Sequence, residues 1–139
     1  LNDIKSIIMR TNIIQSLFLF ILFTIGHTTL QAQRWEDLGS RVVNWGLDKD
    51  IIKVTYREGK FNAIKFVVRG GAVNMHRCIV HFENGETQEI ALKHHFRRGD
   101  DSRVIDLVGN QRFIDRIVFF YDTKNRSRHR AVVNVWGRH

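Results

Sequence analysis

From residue 51 onward several runs of this chain carry apolar residues at every second position, and that spacing points to β-structure. Ile52, Val54 and Tyr56 alternate with Ile51, Lys53 and Thr55, and Ile64, Phe66 and Val68 with Lys65, Val67 and Arg69. Phe113, Ile117, Phe119 and Tyr121 share one parity, against Ile114, Arg116, Val118 and Phe120. Ala131, Val133 and Val135 alternate with Val132, Asn134 and Trp136. Successive side chains on a strand face opposite sides, so each run offers one face to bury. Runs that are apolar on both parities suit central strands or a covered outer face.

Turn residues punctuate these runs at Glu58-Gly59, Gly70-Gly71, Asn84-Gly85, Gly99-Asp100 and Gly109-Asn110. Asn84-Gly85 has the form of a two-residue hairpin turn, which needs positive φ at both positions. The spacing predicts strands over 35–45, 51–57, 61–69, 73–83, 86–93, 103–108, 113–122 and 130–137. The expected fold class is all-β: an antiparallel β-sandwich of about eight strands in Greek-key or jelly-roll order, with a closed barrel as the alternative. The chain has no proline, so its edge strands must be protected by charge or bulges.

Ahead of this pattern, Met9–Gln33 reads as an address. Met9-Arg10 is basic, Ile13–Ile25 is nearly all apolar, and Thr28–Gln33 is small and polar with Ala32 as a cleavage position. That order is the signature of a secretory signal peptide, helical before removal. Residues 1–32 are expected to be upstream sequence and signal peptide, starting at Met9, and 33–139 a single β-sandwich domain of 107 residues. An uncleaved anchor would need roughly 20 predominantly apolar residues, whereas Ile13–Ile25 has 13, Gln15 and Ser16 among them. The protein is therefore expected outside the cytoplasm, periplasmic or extracellular, meeting the membrane only through the transient signal peptide.

A domain of this size can bury between ~60% and ~70% of its unfolded surface, enough for one core. Cys78 is the only cysteine, so no intrachain disulfide can form, and beside Ile79 and Val80 it reads as a small buried hydrophobe. Losing Lys5, Arg10 and Asp3 with the leader takes the chain from 22 basic and 14 acidic side chains to 20 and 13. That excess favours anionic partners, or serves solubility alone.

Few residues carry chemistry. On regular strands His76 and His81 point to opposite faces, as do the adjacent His94 and His95, so no converging zinc ligands are expected. Asp48-Lys49-Asp50 and Asp100-Asp101-Ser102 are loop acids that could hold calcium or simply cap turns. Arg98-Gly99-Asp100 is an adhesion-type triplet that also suits a hairpin turn. Ser40, Ser102 and Ser127 lack the Gly-x-Ser-x-Gly context of a nucleophile, and Glu36, Asp37 and Asp106 form no recognisable pair. No catalytic residue, metal or cofactor is assigned. Trp35, Trp45 and Trp136 are expected mainly as core, with Trp35 and Trp136 the better candidates for exposure and for stacking on sugar rings. The strongest interaction candidate is the basic run Lys124, Arg126, Arg128 and Arg130 between the last two strands, with Arg97 and Arg98 as a second group. Arginine's forked donors match phosphate and carboxylate.

The segments Leu38-Gly39, Phe61–Val68, Ser102–Leu107, Arg112–Ile117 and Ala131–Gly137 together resemble the YaaI-like family, short exported bacterial proteins classed as a domain of unknown function. The resemblance implies an exported β-sandwich and brings no catalytic residues. Some relatives carry a cysteine pair, and the single Cys78 cannot reproduce it. The expectation is an exported, non-catalytic β-sandwich binding an anionic or glycan ligand at the cell envelope, with an acidic glycan, lipopolysaccharide or another polyanion as partner. An envelope assembly component and a hydrolase acting on a polyanion are the alternatives.

Overall fold

A computed structural model describes residues 33–123 and 130–139. Eight strands are present: β1 (Trp35–Val42), β2 (Gly46–Lys53), β3 (Ala63–Arg69), β4 (Val73–Phe82), β5 (Thr87–Phe96), β6 (Ile105–Asp106), β7 (Ile114–Thr123) and β8 (Val132–Arg138). They form two antiparallel four-stranded sheets, β1-β8-β3-β6 and β2-β7-β4-β5. The first strand pairs with the eighth, the second with the seventh, the third with the sixth and the fourth with the fifth. The chain is thus one long hairpin, its tip between β4 and β5, rolled into a sandwich. Of the two expected orders, this is the jelly roll.

Between the sheets lies a core of Ile64, Phe66, Val68, Cys78, Val80, Ile117, Phe119, Tyr121, Val133 and Val135, all completely buried. Phe66 meets Phe119 edge-on across the sheets, ring centroids 6.3 Å apart. None of the tryptophans belongs to this core, contrary to the sequence expectation. Val133 and Val135 point inward, so Trp136 must face out with Asn134 and Arg138, and Trp35 pairs with Arg138 at the sheet edge. Phenylalanine and Tyr121 supply the core's aromatic volume instead.

One-residue slips redirect the alternation in β1, β4, β5 and β7. Opposite Asp115 the register of β7 jumps, so Ile114 turns inward while Phe113 leaves the core. At His76 both Met75 and Cys78 are buried although three positions apart, because β4 bulges between Met75 and Arg77. Across that bulge His76 and His81 fall on the same outer face, which corrects the opposite-face expectation. A third slip lies between Asp37 and Gly39 and admits Leu38 to the core. Bulges move an odd number of residues past the partner strand, so parity carried across them inverts.

Strand β2 starts at Gly46, five residues before the expected start, and Tyr56–Glu58 is a single 3-10 turn. The Asn84-Gly85 loop is longer than two residues: only Gly85 has positive φ, and Phe82 N–H donates to the Glu86 carbonyl at 2.9 Å. Edge protection comes from side chains and bulges. Arg41 Nε donates to the Ile51 carbonyl at 2.8 Å, the Gln88 amide bonds Asp106 and Val108 backbone, and Lys93 sits at φ 42 in a bulge of β5.

Buried Tyr121 latches the β1–β2 corner. Its hydroxyl donates to Asp50 at 2.8 Å and accepts from Asn44 N–H at 2.9 Å. Replacing Tyr121 with Phe leaves that N–H and that carboxylate without their partner. We expect a loss of about 1–3 kcal/mol in urea unfolding; an unchanged midpoint would show that the latch is idle.

Candidate anion-binding end of the sandwich

Strand register gathers one set of arginines at a single end of the molecule. Arg69, the last residue of β3, pairs with Val132 of β8, and Gly70 packs against the Arg130 carbonyl. The next segment across returns after β5: Gly99 N–H donates to the Val68 carbonyl at 2.7 Å, and Val68 N–H donates to the Asp100 carbonyl at 2.9 Å. Arg97, Arg98 and Arg130 therefore share the end marked by Arg69, and all four are exposed. Lys124, Arg126 and Arg128 lie outside the described residues. The flanks of their segment, Thr123 and Arg130, are both at this end, since Thr123 pairs with Gly46 and Val43 N–H donates to the Ala131 carbonyl at 3.0 Å.

The electrostatics of the two ends differ. At the far end Arg112 bonds Asn84 at 3.0 Å, Val108 at 2.9 Å and Glu86, while its guanidinium lies 4.0 Å over the Phe82 ring. Arg138 pairs with Asp106 at 3.0 Å and bonds Asn62 at 2.6 Å, and His139 contacts Glu36 at 2.8 Å. By contrast, Arg69, Arg97, Arg98 and Arg130 have no acidic side-chain partner among the described residues. Acids near them are hydrogen-bonded within the chain and not to these arginines' side chains. Asp100 accepts from Arg97 N–H at 2.7 Å and closes the turn whose Gly99 has φ 91. The aspartate of the Arg98-Gly99-Asp100 triplet is thus committed to its own backbone. Asp101 pairs with Lys65 at 3.5 Å, and the Ser102 hydroxyl accepts from Phe66 N–H at 2.9 Å. Asp48 and Asp50 lie on β2, not in a loop, bonded by Asn44 and Tyr121.

Four of the five described histidines have a hydrogen-bonding neighbour. His76 meets Asp122 at 2.7 Å, Asn74 donates to the same carboxylate at 2.8 Å, and His95 contacts Asn74. His81 lies 3.3 Å from Arg116, and His94 packs on Phe96. Among the described residues no three metal-ligating side chains converge. A shallow cavity of about 430 Å³ opens at the far end beside Lys60, Phe82, Arg112 and Phe113. Of its two cations, Arg112 is paired with Glu86 and Lys60 stands over the Phe113 ring.

Arg69 was not marked in the sequence as a ligand residue. Its signal is faint: it shares outward parity with Lys65 and Val67 and precedes Gly70-Gly71.

The sequence profile of a family described as a domain of unknown function, DUF2541, matches residues 16–137. The chain belongs to the DUF2541 family. No curated protein matches this DUF2541 sequence. Two solved structures are similar, both mutants of a family 29 carbohydrate binding module. One is 14% identical over 76% of this chain and 92% of its own, with a TM-score of 0.35. The other is 13% identical over 76% and 85%, with a TM-score of 0.34. With TM-scores this low, the carbohydrate binding named for those modules does not pass to this chain.

Proposed function

We propose that this DUF2541 protein is an exported, non-catalytic β-sandwich that binds an anionic ligand at the cell envelope through its arginine end. Arg97, Arg98, Arg130 and Arg69 supply the grip, with Lys124, Arg126 and Arg128 from the adjoining segment. An acidic glycan or a lipopolysaccharide phosphate has the required chemistry. The observation that carries this reading is that exposed arginines from separate segments share one end and lack acidic partners there, while Arg112 and Arg138 at the other end are paired with Glu86 and Asp106. Like charges held together repel one another and raise the local potential, and an anionic ligand relieves that repulsion. Export rests on the basic, apolar and small order of Met9–Gln33, and the separate resemblance of the β-domain segments to the YaaI-like exported proteins implies the same.

Heparin binding tests the site. Retention is expected to fall steeply with salt, as it does for any contact that releases counterions. Changing Arg97, Arg98 and Arg130 together to Ala is expected to weaken heparin binding about tenfold or more at low salt. Retention equal to the parent's would end the proposal. Export is tested by expressing the full chain in a bacterial host and measuring the mass of the product. A product beginning at Gln33 supports it, and a product retaining the leader overturns it.

A further inference from the structure

We infer that the anionic ligand of this end is a lipid bilayer surface, an inference that rests on the anion-binding reading above and specifies its partner. The arginine end also carries exposed apolar side chains that a soluble polyanion would leave unused. Val42 is 53% exposed, Trp45 44% and Leu47 80%. Their placement follows from register. Val42 pairs with Val132, which on its other side pairs with Arg69, so an apolar residue and a free cation stand two strands apart, about 10 Å at the usual strand spacing. Gly46 pairs with Thr123 and Leu47 with Asp122, which puts Trp45 and Leu47 at the same end as Arg130.

The tip is held in place. Asn44 is bonded through its N–H to the Tyr121 hydroxyl at 2.9 Å and through its carbonyl to the Thr123 hydroxyl at 2.9 Å, so Trp45 is presented from an anchored bend. The acidic groups at this end are oriented by hydrogen bonds and keep their charge: Asp48 accepts from Asn44, Asp50 from Tyr121, Asp100 from Arg97 N–H and Asp122 from Asn74, none of them paired with the side chains of the four arginines. Val42 lies on the outer face of the β1-β8-β3-β6 sheet with Arg69, and Leu47 on the outer face of the other sheet, so this end carries exposed apolar side chains on both sheets beside arginines without acidic partners. Indole rings favour the headgroup level of a bilayer, and aliphatic side chains reach the acyl boundary just below it. Arginines beside them meet lipid phosphates, and basic residues near an anionic leaflet are attracted to it. A bilayer carrying anionic headgroups satisfies both halves of this surface at once.

Co-sedimentation tests the inference, using phosphatidylcholine vesicles with and without phosphatidylglycerol. The protein is expected to pellet with the anionic vesicles and to stay in solution with the neutral ones. Trp45→Ala combined with Leu47→Ser should weaken vesicle binding about tenfold or more while leaving heparin retention and the melting temperature as they were. Arg97→Ala with Arg98→Ala and Arg130→Ala should lose both vesicles and heparin. If the parent binds heparin but not anionic vesicles, or if Trp45→Ala with Leu47→Ser pellets like the parent, the bilayer is the wrong partner and the anion reading stands. Loss of heparin binding by the parent itself would remove the anion reading too. A dimer in size-exclusion chromatography that Leu47→Ser converts to a monomer would assign the apolar tip to a second copy and overturn the inference.

Discussion

Gly70→Ala is expected to destabilise the protein several times more than Gly85→Ala, although both glycines have left-handed backbone, φ 79 and 87. Either substitution places a Cβ where an L-residue is disfavoured, by about 1–2 kcal/mol. Around Gly85 that is the whole effect, because an added Cβ finds nothing within 4 Å. At Gly70 the new Cβ would run into the carbonyl oxygen of Arg130 and stand 3.5 Å from its carbonyl carbon. A backbone atom cannot rotate away as a side chain can. The β3 exit must therefore shift against the entry to β8, and such overpacking adds about 1–3 kcal/mol. The total for Gly70→Ala is about 4 kcal/mol, against a folding free energy of about 5–15 kcal/mol for a typical domain. Thermal melting should show a drop of about 15–30 °C for Gly70→Ala and about 5–10 °C for Gly85→Ala. Equal drops would mean that the contact with Arg130 is soft and does not position the arginine end.

Alkali should unfold this protein well before it would unfold a sandwich without Cys78 and Tyr121 in its core. Burial pushes the Cys78 thiol from its ordinary value near 9.0 up to about 12, with Arg103 pulling weakly the other way. Tyr121 is also raised far above its ordinary value, first by burial and then by the Asp50 and Asp48 charges, with the Asn44 N–H opposing. Both groups hold their proton more tightly folded than unfolded. Stability is therefore complete below about pH 9 and declines as the unfolded chain begins to release these protons. Each group contributes a slope of about 1.4 kcal/mol per pH unit, Cys78 from about pH 9 and Tyr121 from about pH 10. By pH 11 the combined loss is about 4 kcal/mol. Urea midpoints between pH 8 and pH 11 measure it, and Cys78→Ala should delay the onset by about one pH unit. The same burial should make the native thiol inert to alkylating reagents until the chain unfolds. Native Cys78 that reacts as fast as a free peptide thiol, or midpoints flat to pH 11, would show that the site is wetter than its complete burial implies.

Some of this could be seen in the linear chain, and the division follows a physical line. Eight strands were legible, four of them as period-two runs and the rest from turn residues, because alternation is imposed locally by the pleat and requires no knowledge of the partner strand. Bulges at His76 and Asp115 were invisible, since a one-residue slip depends on the register of a neighbour far away in the chain. The parity inferred for His76, His81, Phe113 and Ile114 failed for that reason alone. Asp48 and Asp50 looked like loop acids because nothing near them in the chain announces that Tyr121 will receive one of them. The tryptophans misled through size: a large apolar ring suggests core, but Val133 and Val135 had already claimed the inward parity beside Trp136.

The arginines mark the same line at the level of the site. Arg97, Arg98 and Arg130 were plain as cations, and as residues outside the expected hydrophobic faces, from composition and pattern. Whether they could act on one ligand depended on which end of the sandwich each loop occupied, and Arg69 entered the group only through its pairing with Val132.

By itself the sequence determined that this chain would fold as stacked antiparallel strands around a disulfide-free apolar core, and that it would carry excess positive charge. Tertiary structure alone decided the jelly-roll order, the register slips and the meeting of arginines without acidic partners with Trp45 and Leu47 at one end. The reason is range: side-chain alternation is settled between neighbours along the chain, whereas strand partners and charge partners are chosen across many tens of residues by which packing buries the inward faces together.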